Sequence, residues 1–245
     1  MSARIIDDIH AIRERWHTKN HPFFAALGEG TLPLRALGVY LAMHYQFVQR
    51  ALASFGVLYT RLYAYEDVRK AIIENLAEEE GLKAIPREGH VPHDHNELIV
   101  RFCKAAGLAE HDVHATKMTP AWWARSLHYY HTALHEPIGV ILAMQTTQEG
   151  QQPALNSEVV LPALARHYGF APGAREIEFF TEHAEADIEH SRRQAELCAR
   201  YLDTDAAKAR ALEVAAQACR LRWASITDLY RRDYLGEKEI LPAGV

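Results

Sequence analysis

The chain has 245 residues, 49% hydrophobic and 24% charged, an ordinary globular mix long enough to bury a sizeable core. A net charge of −5 argues against a nucleic-acid footprint. No apolar run approaches the ~20 residues of a membrane span, and residues 1–8 hold no apolar secretory segment, so a cytoplasmic setting is expected. Cys103, Cys198 and Cys219 are odd in number and lack C-x-x-C spacing, which fits a reducing compartment; each sits in an amphipathic stretch and reads as buried packing.

All the periodicity along the chain is helical. Ile5, Ile9, Ile12 and Trp16 form one apolar stripe, which His21-Pro22 breaks. Gly28-Glu29-Gly30-Thr31 is a turn, and Thr31 followed by Pro33 opens a long, mostly buried helix from Leu34 to about Tyr63. A further helix spans Asp67–Glu80 and stops at Gly81, a residue that tolerates the left-handed exit. Leu82 to Asp94, with two prolines and a glycine, is a loop. Helix resumes from His95 to Ala106 and stops at Gly107. Thr119-Pro120 begins a long helix to about Gly150, kinked at Pro137. Helices follow from about Asn156 to Tyr168, after Pro172-Gly173, and from Asp203-Thr204-Asp205 to near Gly236. With no alternating strand, repeat or linker, residues 1–245 are expected to form a single all-α domain of seven or eight helices.

The chemistry concentrates in Phe179–His190, where His183, Asp187 and His190 stand in the order H-x3-D-x2-H. On a helix these three share one face, and two imidazoles with a carboxylate suit a transition metal. Bundle metal sites draw ligands from several helices, so the search extends to other inward acids and histidines. Glu79 shares a face with Ile72 and Leu76, whereas Glu78 looks peripheral. His95 opens a helix on the side of Leu98 and Phe102, with His90 and His93 as competitors. Glu149 lies on the stripe of Gln145 and Leu142, which gives it modest support, and Gln145 is an inward alternative. A rival stripe, His128, His131 and His135, brings no inward carboxylate and reads as a pocket wall or polar face. Three carboxylates and three imidazoles suit iron or manganese and leave room for two ions.

These elements together, Asn75-Leu-x-Glu-Glu-x-Gly81, His95-x-x-Leu98, Glu149-x3-Pro153 and His183-x3-Asp187-x2-His190, resemble the haem-oxygenase-like di-metal oxidases and oxygenases, part of a wider group with pyrroloquinoline-quinone synthase and the thiaminase-type proteins. The resemblance extends to His21-Pro22-Phe23 and His44-Tyr45-Gln46-Phe47-Val48, and so to nearly the whole chain. It implies a seven-helix bundle and a di-iron or mixed manganese/iron centre activating O2. It implies metal ligands Glu79, His95, Glu149, His183, Asp187 and His190, with His90 or His93 as alternatives to His95 and Gln145 as the alternative to Glu149. Known members oxidise or cleave small molecules, including formation of aminobenzoate from a tyrosine of the protein itself.

Tyr45, Trp122, Tyr129 and Tyr130 are candidates to line the pocket or relay electrons, with Tyr45 the catalytic candidate. The expected partners are a small-molecule substrate and a second copy in a homodimer, with neither nucleic acid nor membrane. The alternatives are a metal-free quinone-synthase-like oxidase, in which Glu79 and His183 transfer protons, and a non-catalytic interaction protein. A thiaminase-type hydrolase would need an activated cysteine, which no cysteine here has around it.

Overall fold

A computed structural model describes residues 2–84 and 88–238. Among them are α1 (Ser2–Arg15), α2 (Pro22–Gly28), α3 (Leu34–Thr60), α4 (Glu66–Glu79), α5 (His95–Ala105), α6 (Glu110–Ala115), α7 (Pro120–His135) and α8 (Ile138–Glu149). A short α9 (Gln152–Ala154) passes through a π-helical stretch, Leu155–Val160, into α10 (Leu161–His167); α11 (Glu178–Tyr201) and α12 (Asp205–Leu229) complete the bundle. No strand occurs among the described residues, where an isolated bridge joins Glu80 to Asp94. The loop expected over residues 82–94 includes residues 85–87, which lie outside the described residues.

The helix ends follow their sequence signals. Asp94 caps α5, its carboxylate accepting from the amides of Asn96 and Glu97, and Thr119 and Thr204 do the same for α7 and α12. His21-Pro22 does more than break α1. It starts α2, with Pro22 at the first position and His21 Nδ1 accepting from the Phe23 amide at 3.1 Å.

Three expectations are corrected. The long helix expected from Pro120 to Gly150 is two helices, because Glu136, the residue before Pro137, is extended (φ −83°, ψ 156°), so Pro137 separates α7 from α8 where a kink was expected. The short α6, held between Gly107 and Thr119, was missed. The helix expected from Asn156 begins at Gln152.

α8 is the axis of the bundle. All its residues from Ile138 to Gln148 are buried, and it packs against α11 and α12. Its first half, residues 138–144, has no polar side chain and so no solvent face to keep, and residues 145–148 follow it into the interior. Gly139 makes this packing possible: a Cβ there would lie 2.5 Å from the carbonyl oxygen of Tyr201 on α11. On the other side α3 packs against α5 and α7. The functional side chains lie between these two layers.

Candidate metal centre

The turn after α4 brings the first pair together. Gly81 takes φ +64°, the left-handed conformation in which L side chains are strained, and the Glu80–Asp94 bridge pins the far end of the loop beside it. The last residue of α4, Glu79, therefore meets the first residue of α5, His95, with Nδ1 3.0 Å from Glu79 Oε2. α11 runs past both, and its His183 ring lies 4.7 Å from the His95 ring, centroid to centroid. Donor atoms of Glu79, His95 and His183 all lie within 4.8 Å of one another. One and two turns further along α11, Asp187 and His190 meet Glu149 from the C-terminal end of α8 in a second group with the same spread. The six residues singled out in the sequence thus fall into two groups of three.

The structure places the alternatives in different surroundings. Of the three loop histidines, His95 joins the group. His90 Nε2 faces Glu182 Oε1 at 3.3 Å, and His93 faces Glu178. Glu149, rather than the buried Gln145, reaches Asp187 and His190. Glu78 is not peripheral: it is 3% exposed, with Oε2 2.6 Å from His190 Nε2. His128, His131 and His135 form no metal-holding group among the described residues; His128 Nε2 faces the Val214 carbonyl oxygen and His131 packs on His135. Tyr45 sits apart from both groups, its hydroxyl 3.1 Å from His114 Nδ1, and Tyr130 is exposed. Tyr129 does line the cavity between the groups, and Trp122 is fully buried beneath it, beside His44 and Phe47.

Each imidazole has one nitrogen directed outward to an oxygen and the other toward its group. His183 Nδ1–H donates to the Phe179 carbonyl at 2.8 Å, which leaves the Nε2 lone pair free. His190 Nε2 faces Glu78, leaving Nδ1 on the side of Asp187 at 3.8 Å. His95 Nε2 faces the fully buried Glu182 at 3.4 Å, leaving Nδ1 toward Glu79. Outer acceptors of this kind set the tautomer and aim of metal-ligating histidines. Gln194, one more turn along α11, donates to Glu149 Oε2 at 2.6 Å.

The electrostatics show a cluster short of positive charge. Burial and the neighbouring Asp187 push the Glu149 carboxyl up to about 8. Burial also works against Glu79, but the His95 imidazolium beside it overrides that and holds the carboxyl down to about 2. Burial disfavours the charged forms of His95 and His190, yet the facing carboxylates raise them to about 10 and about 11. Asp187 Oδ2 is buried without a hydrogen-bond partner. Three clustered carboxylates, Asp187 buried and Glu79 and Glu149 half-buried, have to be neutralised by protons or by cations, and divalent ions fit this donor set of carboxylate oxygens and imidazole nitrogens.

Five of the six residues line a cavity of ≈ 70 Å³; His190 instead lines an adjoining cavity of ≈ 420 Å³ between α4 and α11. Phe47, Val48, Ala51, Leu52 and Phe55 on α3 make the apolar wall of the smaller cavity. The polar side holds residues that the sequence reading did not single out: Arg125, Gln148, Gln152 and Arg222. The cysteines are all buried, and burial raises Cys103 and Cys198 to about 12 and Cys219 to about 11, so none is an activated thiol.

Residues 39–223 match the description of the iron-containing redox enzymes. The 4-aminobenzoate synthase of Chlamydia muridarum is 24% identical over 197 residues, covering 80% of this chain and 78% of its own. That of Nitrosomonas europaea is 24% identical over 223 residues, covering 88% and 86%. A solved Shewanella denitrificans domain of haem-oxygenase-like fold superposes with a TM-score of 0.77 at 14% identity, over 96% of this chain and 94% of its own. A TenA homologue from Pseudomonas syringae gives 0.77 at 15%, over 94% and 92%. The fold is thus haem-oxygenase-like.

Proposed function

Because the chain belongs to the iron-containing redox enzyme family, and is an oxidoreductase, we propose that it is a two-metal, O2-dependent oxidase or oxygenase acting on a small organic substrate. The observation that carries this reading is the pairing of two three-residue groups alongside α11, which supplies three of the six residues, with every imidazole turned outward at one nitrogen and inward at the other. Glu79, His95 and His183 would hold one ion; Glu149, Asp187 and His190 would hold the second. Iron, or iron with manganese, supplies the capacity to reduce O2 when bound there.

The remaining work belongs to the chain's own side chains. Phe179 O, Glu182 and Glu78 fix the three rings, so that ligand geometry is set before any ion arrives. The apolar face of α3 keeps bulk water from the cavity and so protects reactive species from quenching. Tyr129 lines the same space; burial, then Glu149, pushes its pKa above the usual range, so its hydroxyl remains protonated.

The test is iron loading without oxygen followed by elemental analysis. The expected result is about two ions per chain in the wild type, with His183→Ala and Asp187→Asn each losing at least one and losing O2 uptake in parallel. A wild type that takes up neither iron nor manganese overturns the reading.

A further inference from the structure

Two arginines lie in the interior beside the metal groups. Arg125 on α7 and Arg222 on α12 are 3% and 2% exposed, and both line the ≈ 70 Å³ cavity. Arginine is rarely buried without an anionic partner, yet neither makes an ion pair among the described residues. Arg125 has one long hydrogen bond, Nη2 to Gln148 Oε1 at 3.4 Å, and its guanidinium lies over the rings of Phe47 (4.0 Å) and Trp122 (5.1 Å). Arg222 donates Nη1 to the Gln148 carbonyl at 2.7 Å and Nη2 to Gln152 Oε1 at 3.1 Å. The Nε of each is buried without a partner.

Part of Arg222 has a structural task, since Gln148 O is one of the last carbonyls of α8 and is otherwise unsatisfied. That role needs one N–H and leaves the rest of the fork unexplained. Among the described residues no ion pair joins either arginine to Glu79, Glu149 or Asp187, which line the same cavity. Their neutral, oxygen-bearing partners hold the guanidiniums in place without neutralising them. Two guanidiniums that share Gln148 as a partner and line one cavity, with donors to spare, make a preformed seat for a planar anion, and a carboxylate matches the fork. The cavity's other wall, Phe47 to Phe55, is apolar and takes an uncharged body.

We infer that the substrate is a small organic carboxylate, its carboxylate held by Arg125 and Arg222 and its apolar part lying along α3 beside the metal groups. This rests on the two-metal reading only for the chemistry that follows; the anion seat stands on the arginines themselves.

The probes are benzoate and hexanoate, each paired with its uncharged amide, titrated calorimetrically into anaerobic manganese-loaded protein and into chelator-stripped protein. Charge-assisted hydrogen bonds of this kind give each acid at least about a tenfold preference over its amide. The preference should persist, weakened, in stripped protein, and should vanish in Arg125→Gln and Arg222→Gln at unchanged metal content. Acid and amide binding alike in both forms overturns the inference. So does a preference confined to the metal-loaded form, or one surviving both substitutions, since the anion would then sit on the ions. The stripped wild type decides the matter even where a variant fails to fold, and it does so whether or not iron loads.

Discussion

His21 is a structural histidine whose protonation the fold forbids, and this fixes a pH dependence of stability. Its Nδ1 accepts the Phe23 amide at 3.1 Å, and its Nε2–H faces Thr227 Oγ1 at 3.0 Å, which in turn donates to the Trp223 carbonyl. A proton on Nδ1 would point at an N–H. Burial accordingly lowers its pKa to about 4. The folded value lies below that of an unfolded histidine, roughly 6.5. Above that pH both states are neutral and nothing is lost. Between it and about 4 the unfolded chain binds a proton that the native chain refuses, so stability falls as the pH falls. At pH 5 the loss from His21 is about 2 kcal/mol, a sizeable part of the 5–15 kcal/mol typical of a domain. His21→Asn keeps a side-chain cap for α2 but has nothing to titrate. In urea unfolding of chelator-treated protein, the variant should lose about 2 kcal/mol less than the wild type between pH 7 and pH 5. Equal losses in the two proteins would refute the assignment, whatever the variant's offset at pH 7.

Two further substitutions probe the shell around the metal groups. Gly81→Ala places a Cβ 2.5 Å from the Asp94 amide nitrogen at a φ of +64°; it should cost about 2 kcal/mol in thermal unfolding, and by displacing His95 it should lower metal content more than the stability loss explains. Gln194→Leu removes the donor to Glu149 Oε2 and should weaken metal binding by about 10–100-fold in competition with a chelator while leaving the helical circular dichroism unchanged; unaltered affinity would mean that Gln194 does not orient Glu149.

How much of the site was legible depended on whether each helix shows a phase. α11 is amphipathic, so the spacing of His183, Asp187 and His190 translated directly into one face, and the same stripe continues to Gln194. α8 is enclosed on every side and has no solvent face against which to read an inward direction, which is why periodicity gave Glu149 only modest support. On α4 the polar residues misled. The buried line runs Val68, Ile72, Asn75, Glu78; Glu78 reads as peripheral because it aligns with Ala71 and the polar Asn75, whereas Asn75 lies near Glu149 and Glu78 faces His190. Arg125 and Arg222 were hidden for the same reason, as charged residues at core positions of α7 and α12. That His95, and not His90 or His93, lies beside Glu79 depends on the Gly81 turn and the Glu80–Asp94 bridge, contacts across a loop that helical spacing does not encode.

Several residues that hydropathy sends to the surface thus lie in the interior around the candidate site. Burying Glu78, Glu182, Arg125 and Arg222 in one region costs desolvation energy that apolar side chains of the same size would spare. The cost is met differently on the two sides of the cavity. On the α11 side the acids face histidines, which supply the positive charge locally. On the α7 and α12 side the guanidiniums rest on aromatic faces and amide oxygens, which satisfy their geometry but not their charge. Stability alone gives no reason for that asymmetry, whereas a substrate that brings its own negative charge does.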